Sequence, residues 1–526
     1  MPTSRTPHSA LRTPHSALLL LGLLLTACLG ETAPTPRAAA TEKPLVLATS
    51  TLSAPPTFAA RTATAIWAAL ATPDRATPPG SDAIPAGPVG WLYINEGALR
   101  FYDPATQQSA ALATFTAVGT ATSASAGRIT AFTVAPAGKL VAYWQVAGTP
   151  PSYDLWLLNL AGGAPRHLAG PVACSNSQQG RTLGTLPAFS PDGATLAYAL
   201  PQADCSPFDL WLAATDGATP PRRVVAAAAG LILSPHWSLD GRQIAFLQAG
   251  DLGTGGVYDA NIAVVAATGS VTPTLLVTGH ALLGDHQALP PFDLTWLDGR
   301  TLAFQSWNPT RGPDGTWVVD TAAAAAPTLL SPAQAGLAAW SPVGAGPRRL
   351  AYRVAGAGLF VRGQGDATGG APLAPAPGVQ GTGAISPLWS PDGTTVAFTD
   401  GAGRLSLAQR GAPGPAVILP FADPLRAAWS LPGAPPLLAV VNTAGSQIAL
   451  FAATGAPVPT MGYTRSLGAP EAVVWLPAGP GRRRGLALRL GGAAPAFVPL
   501  IYDPMAPGRS AAVPLAADSP LVGVDR

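Results

Sequence analysis

Residues 388–400 read LWSPDGTTVAFTD: an aromatic anchor, a Pro-Asp-Gly turn and a short apolar strand in direct succession. Proline pre-sets φ for the second position of a turn, aspartate bonds its own backbone, and glycine takes positive φ without steric cost. The stretch therefore encodes a β-hairpin. A close copy, AFSPDGATLAYAL, occupies residues 188–200, and looser copies recur along most of the chain. Hairpins repeated at roughly 40–60 residues mark a propeller, whose blades bury their faces only by stacking around an axis.

The aromatic anchors of the full copies are Phe132, Phe189, Trp237, Trp296, Trp340, Trp389, Trp429 and Trp475. Their spacings of 57, 48, 59, 44, 49, 40 and 46 residues suit four short strands with tight turns. One copy shows the order plainly: LPAFS, PDG, ATLAYAL, a loop holding Cys205, FDLWLAA, TDGATP and PRRVVA. Residues 91–114 supply three strands but no opening anchor strand, and the tail 519–526 is expected to donate the missing one. The prediction is an all-β chain forming a single β-propeller of four-stranded blades. Eight anchors give eight blades; nine follow if the partial unit stands as its own blade, and seven if the carboxy-terminal units merge.

Composition agrees with an all-β reading. Charged residues make up only 11%, and 58 Gly with 58 Pro imply dense turns and leave little room for long amphipathic helices. Two lysines, Lys43 and Lys139, accompany 28 arginines, and without residues 1–27 the chain carries 28 basic against 27 acidic groups. So balanced a chain has no electrostatic footprint for nucleic acid.

The recurring W-S-P-D-G, followed by two variable residues and an aliphatic-Ala-aromatic triplet, resembles the PD40 repeat of TolB-like β-propellers, over roughly residues 90–515. That resemblance implies protein partners or envelope components met at a disc face or the central channel. At the amino terminus, arginines precede the apolar run Ala17–Leu25, which is shorter than the roughly 20 residues a membrane span needs. The run ends in Leu25-Thr26-Ala27-Cys28, which resembles the lipobox of bacterial lipoprotein signal peptides. The resemblance implies cleavage before Cys28 and lipidation of its thiol. Residues 1–27 are thus expected to be a signal peptide, 28–85 an Ala/Thr/Pro-rich disordered tether, and 86–526 the propeller.

In a four-stranded blade the anchor hairpin and the third-to-fourth-strand turn lie on one face of the disc, and the remaining loops on the other. The long stretches, such as 171–185, 278–292 and 371–385, all sort to that second face, where function is expected. Cys174 and Cys205 sort there too, and in an exported protein they are expected to form a disulfide across 31 residues, worth about 3–4 kcal/mol. His280, Asp285 and His286 share one loop whose spacing matches no metal motif, and they remain candidate binding residues without an assigned metal. His236 replaces the alanine that precedes other anchors; it either lines the channel or is a hydrogen-bonded structural histidine.

The sequence contains no G-x-S-x-G elbow, no G-x-x-x-x-G-K-[ST] loop and no paired-cysteine zinc motif, so no catalytic residue and no cofactor is assigned. The expectation is a monomeric, lipid-anchored, extracytoplasmic envelope lipoprotein. Its propeller serves as a non-catalytic binding platform for envelope proteins or cell-wall components. A carbohydrate or small-ligand receptor and a propeller-type polysaccharide lyase are the alternatives.

Overall fold

Nine separate antiparallel sheets account for every strand of the chain that the computed structural model describes. It describes residues 89–525 apart from the connecting stretches 115–126, 174–185, 250–260, 279–288, 376–384 and 459–469 and a set of shorter ones. Cys28 and the rest of residues 1–88 lie outside the described residues. In chain order the sheets form blade 1 (89–113), blade 2 (128–173), blade 3 (188–225), blade 4 (231–277), blade 5 (289–329), blade 6 (339–375), blade 7 (388–418), blade 8 (424–458) and blade 9 (470–514). Blade 1 gains its fourth strand from the tail, Val522–Asp525, which pairs antiparallel with the strand Val89–Asn95. The propeller therefore has nine blades. The partial unit stands alone, and a count of aromatic anchors stops at eight because the strand completing blade 1 carries none.

Within blades 2 to 8 the strands pair in sequence order from the anchor strand outward. Anchor strands of successive blades approach one another, as strands nearest an axis must. Among the described residues no helix is long and apolar enough to cross a membrane.

Turn chemistry sets the hairpins. Ser390 Oγ donates to Asp392 Oδ1 at 2.5 Å and accepts the amide of Thr395 at 2.9 Å, while Gly393, at φ 67°, returns its own amide to the Ser390 carbonyl. The same bonds recur at Ser190 with Asp192 and at Ser238 with Asp240. Where the aspartate is missing, Ser341 and Ser430 still cap the second strand through the amides of Arg349 and Leu437. At Leu297 the serine is missing, and Asp298 Oδ1 accepts the Arg300 and Thr301 amides instead. The hairpin survives either loss, and in blade 2, where Ala135 and Ala137 replace both residues, the backbone bonds of Ala135 with Leu140 and Gly138 close it.

The tryptophan anchors also staple blades together. The indole N–H of Trp237 donates to the carbonyl of Ala188, Trp296 to His236, Trp389 to Ala339, Trp429 to Leu388 and Trp475 to Ala428, each at 2.9–3.0 Å. Each acceptor precedes the anchor of an earlier blade. Buried indole N–H groups need partners, and here the need fixes blade spacing.

The apolar core is distributed through the seams. Leu92, Phe132 and Tyr143 fill the seam of blades 1 and 2; Trp91, Tyr93 and Phe497 fill that of blades 9 and 1. Comparable clusters join blades 4 and 5, 5 and 6, 6 and 7, 7 and 8, and 8 and 9. A single cluster runs through blades 2, 3 and 4. Both sheet faces are covered in this way, which is why the second strands read as nearly continuous apolar runs.

Candidate functional site

Strand direction gives the disc two unlike faces. Anchor hairpins and third-to-fourth-strand turns end on one, the turn face, where the longest connections are 341–348 and 476–483. Second-to-third-strand and interblade connections leave the other, the loop face, and include 114–127, 174–187, 250–260, 278–288, 376–387 and 459–469. The elaborated face expected from the sequence is thus present in the strand order.

Cys174 follows the strand Arg166–Ala173, and Cys205 falls between Thr195–Pro201 and Phe208–Ala214, so both connections leave the loop face. The two cysteines themselves, and His280, Asp285 and His286, lie outside the described residues. His236 is described. It sits next to Trp237 toward the turn-face end of the strand Leu231–Trp237, away from the loop-face candidates. Its carbonyl serves the Trp296 staple at 3.0 Å. Its ring is only partly accessible, and burial pushes the imidazole down to about 4, so it is neutral at pH 7.

Near the loop-face ends of the third strands the structure gives buried acids partners that sequence reasoning missed. In blade 2 the buried Asp154 meets His167 Nε2 at 3.0 Å, and the His167 ring packs edge-on against Trp156 with centroids 4.9 Å apart. Burial raises the Asp154 carboxyl, while hydrogen bonds from His167 and Gln145 draw it back. Blade 3 repeats the arrangement with Asp209, 3% exposed, and Arg223 at 3.2 Å. The signal was present in YDLW and FDLW, where an acid interrupts an apolar third strand. A buried carboxylate demands a hydrogen-bonding partner, and the neighbouring fourth strand supplies one in each blade.

A second group closes the ring. Arg489 Nε bonds Glu471 Oε2 at 3.1 Å, Arg426 Nε donates to the Glu471 carbonyl at 2.8 Å, and Arg489 reaches the carbonyl of Ser519 ahead of the tail strand. Burial lowers the Arg426 guanidinium, and Glu471 partly restores it. These bonds link blades 8, 9 and 1. Among the described residues no three His, Cys, Asp or Glu side chains converge on a metal-sized site.

No protein-family model matches the sequence, and no curated protein matches it. Among solved structures, the eukaryotic initiation factor is similar at 13% identity and TM-score 0.47, covering 82% of this chain and 96% of that one. The β-propeller domain of the Trilobed protease from Pyrococcus furiosus follows at 9% identity and TM-score 0.34, covering 73% and 95%. A putative TolB from Agrobacterium tumefaciens gives 20% identity and TM-score 0.27, covering 47% and 80%. Likenesses this distant transfer no ligand, partner or activity. Sheet topology alone defines the class: a nine-bladed β-propeller closed by its tail, with one plain face and one elaborated face.

Proposed function

We propose that this propeller is a non-catalytic binding platform for proteins or other envelope components, carried at a bacterial membrane by a lipid on Cys28. One observation carries the reading. The seam strands place both ends of the ring, Val89 and Asp525, side by side at the turn face. Whatever precedes Val89 therefore joins the ring at the plain face, and the strand ends that flank the long connections open on the opposite one. Function usually resides on loops held by a rigid scaffold, and this scaffold points them away from its attachment. The PD40-like turn chemistry supports a TolB-like reading of the same platform.

Photo-crosslinking amino acids placed singly in 250–260 and 376–387, and as controls in the turn-face connections 341–348 and 476–483, test the display in cells. Adducts are expected from the loop-face positions. Adducts from the turn face alone, or none from the loop face, overturn the reading. For the anchor, Cys28→Ser is expected to move the protein from the membrane pellet to the soluble fraction, and continued pelleting refutes lipid attachment.

A further inference from the structure

The outermost strand of each blade presents a row of backbone N–H and C=O groups to the rim of the disc, and such a row pairs readily with another chain. Eight of the nine outer strands are guarded against it. Those of blades 3, 4, 5, 7, 8 and 9 hold four residues or fewer. The longer ones of blades 2 and 6 are interrupted by Pro171 and by Pro372 and Pro375. A short strand offers few bonds to a partner, and proline removes a ladder donor.

Blade 1 is the exception. Its outer strand, Gln108–Ala113, has six residues and no proline. No charged residue lies between Asp103 and Arg128, so no charge guards the edge either. Residues 108–111 are all exposed and pair in unbroken register with Asp103, Tyr102, Phe101 and Arg100; the bulge comes after them, toward the loop face. Tyr93 Oη donates to Ser109 Oγ at 2.8 Å and pins the strand to its blade, so the edge is presented already in strand conformation. Among the described residues no strand pairs with its outer side.

We infer that this edge joins two copies of the chain, each Gln108–Ala113 pairing antiparallel with the same strand of the other about a two-fold axis. Self-pairing brings each side chain near its own counterpart, which a charged strand resists by repulsion and this uncharged one does not. The near balance of 28 basic and 27 acidic groups beyond residue 27 adds no long-range repulsion between the copies. The two blade 1 sheets become one continuous sheet, and the discs lie rim to rim. Antiparallel pairing inverts one disc, so the loop face of each lies beside the turn face of its partner. The pair takes the place of the monomer that the sequence leads one to expect, and it depends on neither the lipid anchor nor the loop face.

Sedimentation equilibrium of the full chain in density-matched detergent, which keeps the apolar run near the amino terminus from driving association, tests the pair. A dimer with a dissociation constant of about 10–100 µM is expected, in keeping with an edge-to-edge contact below roughly 1,200 Å². Ala110→Lys and Ala110→Asp are each expected to weaken it at least about tenfold, as like charges brought together imply. An equimolar mixture of the two variants is expected to dimerise again, because opposite charges then meet. Ala111→Lys and Ala111→Asp serve in the same way should the Ala110 variants fail to fold. A monomer at every concentration up to about 500 µM overturns the inference and leaves the edge to a strand from another protein. It is equally overturned by a dimer that persists in a variant whose unfolding midpoint is unchanged, or by a mixture that stays monomeric. Loop-face crosslinks to other proteins are expected from all of these variants, so the two readings fail separately.

Discussion

Ser390 is fully buried, and its hydroxyl both donates to Asp392 and accepts the Thr395 amide. Ser390→Ala strands that amide and loosens the aspartate, and it should lower stability by about 1–3 kcal/mol in urea unfolding. A cost within error would mean that the backbone bonds of the turn suffice. His236 sets a different dependence. Its folded value near 4 lies below the ordinary 6.5, so the unfolded chain takes up a proton first as pH falls. Stability from this group is complete above about pH 6.5 and is lost as pH falls toward 4. The ceiling is about 3 kcal/mol, and the ring's partial exposure reduces it. His236→Gln should flatten the difference between unfolding free energies at pH 7 and pH 4.5, leaving the Trp296 staple intact because that bond uses the backbone. The turn aspartates Asp192, Asp240 and Asp392 are all held below the usual carboxylate range, so their contribution persists through this window and fails only under more acid conditions.

The tail strand Val522–Asp525 is four residues long yet completes a blade. It is braced by Ser519, whose hydroxyl accepts the Ile94 amide, and by Ala516, whose amide donates to the Ile94 carbonyl. Gly523 lies so close to the Trp475 carbonyl that a Cβ would collide with backbone. Gly523→Ala should therefore lower the melting temperature by several degrees, since a few kcal/mol is a large share of any fold's stability; an unchanged midpoint would show that the seam can shift. Hairpins were legible in the sequence because Ser-Pro-Asp-Gly chemistry is local. The tail's role was legible from three strands that lacked a fourth. The blade count was less so, because VGVD carries no aromatic anchor and lies some four hundred residues from its partners. Asp154 and Asp209 were legible as acids interrupting apolar strands, but their partners His167 and Arg223 were not: bulges shift the third-to-fourth-strand register, so no sequence spacing predicts which side chains meet.

At the scale of the whole ring, the described apolar core lies in the seams between blades. Replacing 250–260 by a short Gly-Ser linker should leave the unfolding midpoint nearly unchanged while removing any crosslink formed from that segment. A large fall in midpoint would instead make the segment part of the scaffold. The seam of blade 1 has a mechanical consequence as well. Tension applied through the residues before Val89 enters the strand Val89–Asn95 along its axis, with Val522–Asp525 bonded on one side and Ala98–Asp103 on the other. Such a pull must shear two ladders together and cannot peel them bond by bond. The place where the ring is closed is thus also built to bear a load.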